Sequence, residues 1–200
     1  MNLFPDIKEY KHEYLSVDTT HELYIEQSGN PNGIPVIFLH GGPGAGANYF
    51  YRRFFDPKVY RIILFDQRGS GKSKPYAGII NNTTQDLIDD IKKIIIHLNI
   101  KKSIIYGGSW GSTLGLLFAE KYPELVHSLV LRGIFLCRED DINWFYQKGA
   151  HEIYPDYWDT FISDIPTGER NNILAAFHNR IHGKDKNISL NSCKKWAEWE

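Results

Sequence analysis

The chain has 200 residues, of which 42% are hydrophobic and 24% are charged. These proportions are typical of a globular protein and exclude disordered, collagen-like and coiled-coil classes. The formal net charge is −1, with 23 Lys and Arg against 24 Asp and Glu, which argues against nucleic-acid binding. Because no apolar run approaches the ~18 residues of a membrane helix and no signal peptide is evident, we expect a soluble, cytoplasmic protein that binds no membrane.

Short apolar runs predict the strands of a sheet. Residues 10–16 and 21–27 alternate apolar with polar side chains, which is typical of a β-hairpin. Four later runs are rich in Ile, Val, Leu and Phe, as parallel strands buried on both faces are: 35–39, 61–65, 103–106 and 128–131. Helical periodicity predicts helices over 83–98 and 109–122. Strands that alternate with helices indicate βαβ units and a mostly parallel sheet.

The composition changes after Phe135. Residues 140–200 are rich in Trp, Tyr, His and charged residues, show helical spacing and contain no convincing buried strand. We therefore expect two domains: residues 1–135 form the N-terminal part of an α/β core, and residues 136–200 form a helical subdomain. The two cysteines, Cys137 and Cys193, are too few for a disulfide framework, and we expect both to be reduced and partly buried.

A glycine-rich pentapeptide, GGSWG at 107–111, carries the strongest chemical signal. It follows a predicted strand and opens a predicted helix, the context in which G-x-S-x-G forms a nucleophile elbow. Because such a turn is tight, the residues two positions before and after the serine must be tiny, and Gly107 and Gly111 meet that demand. Ser109 is therefore the candidate nucleophile. The alternative is a glycine-rich turn with an incidental serine.

A second glycine-rich segment, HGGPG at 40–44, follows the strand predicted at 35–39. Gly41 and Gly42 leave backbone N–H groups open to a substrate oxygen, so the loop is a candidate oxyanion hole, with the Trp110 amide as the second donor. A dinucleotide fingerprint would need a third glycine where Ala47 stands. His40 could be a base, although packing that holds the loop is the simpler role.

The segment DQRGSGKS at 66–73 resembles the end of a P-loop at its last three residues. The glycine that a P-loop requires five residues before Gly71 is Asp66, so nucleotide binding is not expected. We expect instead a loop that is stiffened by Asp66 and Arg68, which pair with nearby backbone groups.

The motifs at 40–44, 66–71 and 107–111 together resemble those of the prolyl (proline) iminopeptidase family, and the similarity extends over essentially the whole chain, to WAEWE at 196–200. The resemblance implies an α/β-hydrolase fold, with a mostly parallel sheet in three layers and a helical cap that begins at residue 136. It also implies serine acyl transfer that releases proline from the N-terminus of peptides, without a cofactor or a metal.

Residue roles also follow from this resemblance. Ser109 matches the nucleophile, and Gly42 with Trp110 matches the oxyanion pair. Phe135 and Phe145 match positions that line a pocket for the proline ring.

Glu200 matches a cap glutamate that binds the free imino group of the substrate. The chemistry agrees, because a protonated secondary amine needs a carboxylate partner. Without the resemblance, Glu200 could be a solvated helix charge, and Phe135 and Phe145 could be ordinary core residues. Trp196 and Trp199 are expected to belong to the cap core.

No histidine is placed to complete a Ser-Asp-His triad, in which the acid and the base follow the serine on later strands. The histidines after Ser109 are expected to be surface or packing residues: His127, His151, His178 and His182. We expect the acid, the base, the last strands and a second acidic residue for the amine to lie beyond residue 200. The 200-residue chain should then be nearly inactive and poorly soluble.

Two other functions fit the same motifs. One is a different serine α/β-hydrolase, an esterase or amidase whose cap sets another specificity. The other is a noncatalytic, truncated hydrolase fold that binds protein partners. The sequence carries no indication of the oligomeric state.

Overall fold

A computed structural model describes residues 3–200, and these form two compact units. The first unit ends at Leu136, and the second covers Cys137–Glu200. Among residues 3–200, no helix is both long enough and apolar enough to cross a membrane.

The first unit is built on a six-stranded sheet with the order β1-β2-β4-β3-β5-β6. The strands are β1 (Glu9–Ser16), β2 (Glu22–Gly29), β3 (Ile34–Leu39), β4 (Tyr60–Phe65), β5 (Ser103–Ser109) and β6 (Val126–Ile134). The hairpin of β1 and β2 is antiparallel, as is the β2–β4 pair, whereas β4, β3, β5 and β6 run parallel. The predicted hairpin and the predicted parallel strands are confirmed.

Two strands, β5 and β6, extend at least three residues beyond the apolar runs that predicted them. β5 continues through Gly107 and Gly108, which pair with Leu131 and Arg132 of β6. The apolar runs mark only the buried centre of each strand, because ladder hydrogen bonds need backbone groups and not apolar side chains. β5 therefore carries Ser109 to the carboxyl edge of the sheet. β6 is an outer strand whose side chains are largely exposed.

Helices cover one face of the sheet. α1 (Thr84–His97) begins with a capping box of Thr83 and Asp86, and α2 (Trp110–Lys121) starts directly after β5. Both helices belong to one core cluster with the strands, in which Leu87, Ile91, Leu114 and Phe118 are buried.

The opposite face is covered by aromatic side chains from a 3-10 helix at Tyr49–Phe54 and its surroundings. Phe38 of β3 stacks on Tyr51 with ring centroids 4.3 Å apart, and Phe55 packs on Val36, Ile62 and Leu64 in the same cluster. A sheet buried on both faces is typical of a mostly parallel α/β fold.

All regular elements of the second unit are helical among its described residues. The α-helices are α3 (Glu139–Tyr146), α4 (Ala150–Ile153), α5 (Pro155–Ile162), α6 (Ile173–Ile181) and α7 (Lys186–Trp199), and a 3-10 helix lies at Thr167–Glu169. Phe161 and Phe177 stack at 4.4 Å in a core on which Trp196 and Trp199 pack, half-buried. The prediction that residues 140–200 are helical is confirmed. Trp196 and Trp199 pack on the core of this unit, as predicted.

The expectation of partly buried cysteines is wrong, since Cys137 and Cys193 are both free and exposed. On α7 the buried stripe passes through Ser192 and Trp196, and Cys193 follows Ser192 by about 100° of helical rotation, which turns it toward solvent. Cys137 follows the last strand in a left-handed conformation, with φ of 56°.

Arg68 is the centre of a buried ion-pair network in the first unit. Its guanidinium donates to both carboxylate oxygens of Asp90 on α1, at 2.6 and 2.7 Å, and to Asp18 in the β1–β2 turn at 2.7 Å. The hydrogen bonds to Asp90 raise the pKa of Arg68. Burial alone would raise the pKa of Asp18, but hydrogen bonds from the Thr20 and His21 amides hold it well below its usual range.

The expectation for Asp66 is confirmed, and that for Arg68 is confirmed in part. Asp66 accepts hydrogen bonds from the amides of Ala47 at 2.7 Å and Lys72 at 2.8 Å. Arg68 donates to one backbone group, the carbonyl of Asn81 at 2.5 Å, but its main partners are carboxylates that lie far away in the sequence.

Candidate active site

Ser109 lies on a strained turn between β5 and α2. It has φ of 54° and ψ of −125°, a conformation that residues other than glycine rarely adopt. Such a residue costs about 1–3 kcal/mol unless its surroundings hold it in place. The turn places Ser109 at the N-terminus of α2, with an exposed side chain at the carboxyl edge of the sheet.

Backbone packing around the serine requires the two predicted glycines. A Cβ atom on Gly107 would overlap the carbonyl oxygen of Gly111, and a Cβ atom on Gly111 would overlap that of Leu39. Both neighbours are main chain and have no rotamer that relieves the overlap. The β5–α2 turn therefore has the geometry of a nucleophile elbow.

The loop after β3 passes directly beside this turn. A Cβ atom on Gly41 would lie 3.4 Å from Ser109 Cβ and 3.9 Å from Ser109 Oγ. Gly42 has φ of 112°, and its amide donates to no backbone carbonyl in the described chain. Trp110 is the first residue of α2, where amides have no intrahelical acceptor. Two open N–H groups thus lie on the two segments that flank the serine.

A buried hydrogen-bond network joins this loop to the helix, and Gln67 is its centre. Gln67 Nε2 donates to the His40 carbonyl at 2.9 Å, and Gln67 Oε1 accepts from Trp110 Nε1 at 3.1 Å. Gln67 belongs to the motif at 66–71, but no role was predicted for it. Its position just past β4, at the carboxyl edge where parallel strands present ligand-binding residues, is the signal that would have found it.

His40 holds the loop and is not available as a base. Its Nε2 accepts from the Gln67 amide at 3.0 Å, so Nδ1 carries the proton and donates to the Gly41 carbonyl at 2.9 Å. Burial lowers the pKa of His40, which keeps the imidazole neutral. The simpler role predicted for His40 is confirmed.

Replacing Gln67 with leucine should destabilise the chain. The change leaves the His40 carbonyl and Trp110 Nε1 without partners in a buried region, at about 1–3 kcal/mol for each orphaned group. We expect urea unfolding to show a clearly lower free energy for Gln67→Leu, and an intermediate value for Gln67→Glu, which keeps the acceptor for Trp110. Gln85→Leu, an exposed site on α1, is the matched control. Equal midpoints for Gln67→Leu and Gln85→Leu would contradict the network's role.

No imidazole hydrogen-bonds to Ser109 Oγ within the described part of the first unit. His12 lies 4.0 Å from Glu9, and His21 lies 3.0 Å from Asp18. His40 belongs to the Gln67 network, and His97 lies 3.1 Å from Glu13. His127 is exposed at the start of β6. In the second unit His151 packs on Trp158, His178 is exposed on α6, and His182 is exposed directly after that helix.

Phe135, a predicted pocket residue, lies beside the first turn of α2. Its N–H donates to Ser112 Oγ at 3.1 Å, and its carbonyl accepts from Thr113 Oγ1. Ser112 Oγ in turn donates to the Ser109 carbonyl at 2.7 Å. The half-buried Phe135 is therefore tied to the turn that carries the candidate nucleophile.

In the second unit, Phe145 and Glu200 belong to one aromatic cluster. Phe145 packs on Tyr146 at 4.9 Å and on Trp199 at 5.9 Å between ring centroids. Glu200 Oε1 accepts hydrogen bonds from the Tyr146 hydroxyl and, at 3.0 Å, from Trp196 Nε1. Burial, together with the Glu200 carboxylate, raises the pKa of Tyr146.

Comparisons with known proteins agree with this geometry. A family model described as the alpha/beta hydrolase fold matches residues 34–198. A proline iminopeptidase of Xylella fastidiosa (strain 9a5c) is 50% identical over 99% of this chain, and one of Arabidopsis thaliana is also 50% identical over 99%. The chain spans 63% of the first relative's length and 52% of the second's.

Solved structures also share the fold. A proline iminopeptidase-related protein from Thermus thermophilus has a TM-score of 0.61 at 20% identity, with 96% of this chain and 66% of that chain covered. An epoxide hydrolase mutant from Vigna radiata has a TM-score of 0.58 at 20% identity, with 78% and 52% covered.

Proposed function

Because the chain belongs to the alpha/beta hydrolase fold family, we propose that it carries the nucleophile of a serine aminopeptidase that releases proline from the N-terminus of peptides. The observation that carries the proposal is the strained Ser109 on a strand-to-helix turn where two glycines admit no side chain. The similarity to proline iminopeptidases supports the choice of substrate.

Acyl transfer begins with attack of Ser109 Oγ on the carbonyl carbon of the N-terminal proline. As that bond forms, the carbonyl π electrons move to oxygen, which the amides of Gly42 and Trp110 stabilise. When the tetrahedral intermediate collapses, the C–N bond breaks, and the leaving amine takes the proton that came from the serine. Water then attacks the prolyl ester, and proline and free Ser109 are released.

A histidine must shuttle this proton, and we propose that it comes from outside residues 1–200. His40 is neutral, with both ring nitrogens engaged, and the other first-unit histidines lie with Glu9, with Asp18, with Glu13 or on exposed β6. Without an imidazole, the serine keeps at most about 10³ to 10⁴ of rate enhancement over water. Residues 1–200 alone should therefore be nearly inactive.

Substrate recognition is assigned to three residues. Glu200 pairs with the protonated imino group of the N-terminal proline, while Phe135 and Phe145 contact the pyrrolidine ring. A carboxylate that pairs with the charged imino group discriminates against blocked N-termini, because an acylated nitrogen carries no charge to pair with it. This preference separates an aminopeptidase from a general esterase or amidase.

The proposal is tested by fusing residues 1–200 to the segment of the Xylella fastidiosa relative that follows its matched region. We expect the fusion to hydrolyse L-prolyl 4-nitroanilide and to leave N-acetyl-L-prolyl 4-nitroanilide intact. Equal hydrolysis of both substrates would favour the esterase or amidase alternative. A folded fusion that cleaves neither would favour the noncatalytic binding module.

A further inference from the structure

The carboxylate of Glu200 is held by one oxygen only. Both donors in the second unit, the Tyr146 hydroxyl and Trp196 Nε1, bind Oε1. Among the described residues of this unit, Oε2 accepts no hydrogen bond. The side chain is exposed, so Oε2 remains free to accept a hydrogen bond from a ligand.

The two donors come from helices that are distant in the sequence. Trp196 lies one turn before Glu200 on α7, whereas Tyr146 ends α3, 54 residues before Glu200. The Tyr146 ring stacks on the Trp196 indole, with centroids 4.6 Å apart and an interplanar angle of 18°. Stacking fixes both rings, so their polar atoms converge on one point.

Further aromatic side chains pack against the Tyr146 donor. The Phe145 and Tyr146 rings meet edge to face, and Trp199 Nε1 donates to the Phe145 carbonyl at 3.2 Å. A carboxylate at the border of an aromatic cluster suits a cation with an apolar body, since ring faces also attract positive charge. A protonated pyrrolidine has that combination.

We propose that Tyr146 and Trp196 are positioning residues: they hold Glu200 Oε1 and thereby aim Oε2 at the protonated secondary amine of the substrate. The inference rests on the proposed function, because it assigns the partners of Glu200 in amine recognition. The raised pKa of Tyr146 is consistent with this role, since the hydroxyl keeps its proton as a donor to the carboxylate.

Equilibrium binding tests the inference on the 200-residue chain itself. L-prolinamide and N-acetyl-L-prolinamide are titrated by calorimetry into the wild type, Tyr146→Phe, Trp196→Phe and Glu200→Gln. Each phenylalanine keeps an aromatic ring and removes one donor. Tyr157→Phe, at a tyrosine that is 67% exposed, is the control. Circular dichroism and thermal melting verify that each variant is folded.

We expect the wild type to bind the free amide more tightly than the acetylated one. Tyr146→Phe should lower the affinity for L-prolinamide by about 10- to 100-fold, the effect of one hydrogen bond to a charged group. The affinity for the acetylated amide should stay unchanged, which a general packing defect would not produce. Trp196→Phe should act in the same direction, and Glu200→Gln should abolish the preference for the free amine.

Two results would overturn the inference, and they are distinguishable. If Glu200→Gln loses the preference while Tyr146→Phe and Trp196→Phe keep it, the positioning role is wrong and amine binding by Glu200 stands. If the folded wild type shows no preference for the free amine, the amine site itself is wrong. The chemistry of Ser109 is decided separately, by hydrolysis in the fusion.

Discussion

Replacing Ser109 with alanine will abolish hydrolysis of L-prolyl 4-nitroanilide by the fusion of residues 1–200 with the following segment of the Xylella fastidiosa relative. We expect kcat to fall by at least about 10⁴-fold, because removal of a serine nucleophile leaves only the contributions of the oxyanion hole and substrate binding. Since Ser109 points away from the core, KM and the unfolding midpoint should change little. Steady-state kinetics and urea unfolding measure these quantities.

Ser128→Ala is the matched control for this experiment. Ser128 is an exposed serine on β6, the strand beside β5, and its substitution should leave kcat unchanged. Turnover in Ser109→Ala that approaches the wild-type rate would remove Ser109 as the nucleophile, and the elbow would then be a structural turn.

The largest effect on stability is expected for Arg68→Met. The Arg68 side chain is only 2% exposed, and it neutralises Asp90, whose side chain is 1% exposed. Removal of one partner of a buried ion pair leaves a buried charge uncompensated, which costs about 3–5 kcal/mol. Because the pair joins α1 to the loop after β4, the loss should appear as a lower free energy of unfolding of the first unit in urea.

Two further variants serve as controls for Arg68→Met. Arg138→Met removes an exposed ion pair with Asp141 and should change the free energy of unfolding little, because solvent screens such a pair. The double variant Arg68→Met and Asp90→Leu replaces the charge pair by apolar side chains and should recover part of the lost stability. A loss for Arg68→Met no larger than that for Arg138→Met would show that the buried network contributes little.

Features that depend on local sequence were predictable here. The apolar runs predicted the strands, and helical periodicity predicted α1. The elbow was predictable because Gly107 and Gly111 lie so close to backbone carbonyls that no side chain fits. The turn therefore requires glycine at both positions, and the sequence shows it. The predicted ends were at most two residues off in the other elements and three or more residues short in β5 and β6, since polar residues and glycines pair in a ladder as readily as apolar ones.

Contacts between residues distant in the sequence were not predictable from local patterns. Gln67 and Trp110 are 43 residues apart, and Tyr146 and Glu200 are 54 apart. A single amide or hydroxyl side chain forms no repeating sequence pattern, so its distant hydrogen-bond partner cannot be predicted from local sequence. The exposure of Cys193 was missed for a related reason: a general preference of cysteine for the interior says nothing about which face of α7 it occupies.

The most direct test of the central claim compares hydrolysis of L-prolyl 4-nitroanilide by residues 1–200 alone and by the fusion. We expect no turnover above background from the 200-residue chain, because no imidazole reaches Ser109 Oγ in its first unit, and clear turnover from the fusion. Turnover by the 200-residue chain would contradict the need for an outside histidine. A folded but inactive fusion would contradict the claim that these residues carry the nucleophile of a prolyl aminopeptidase.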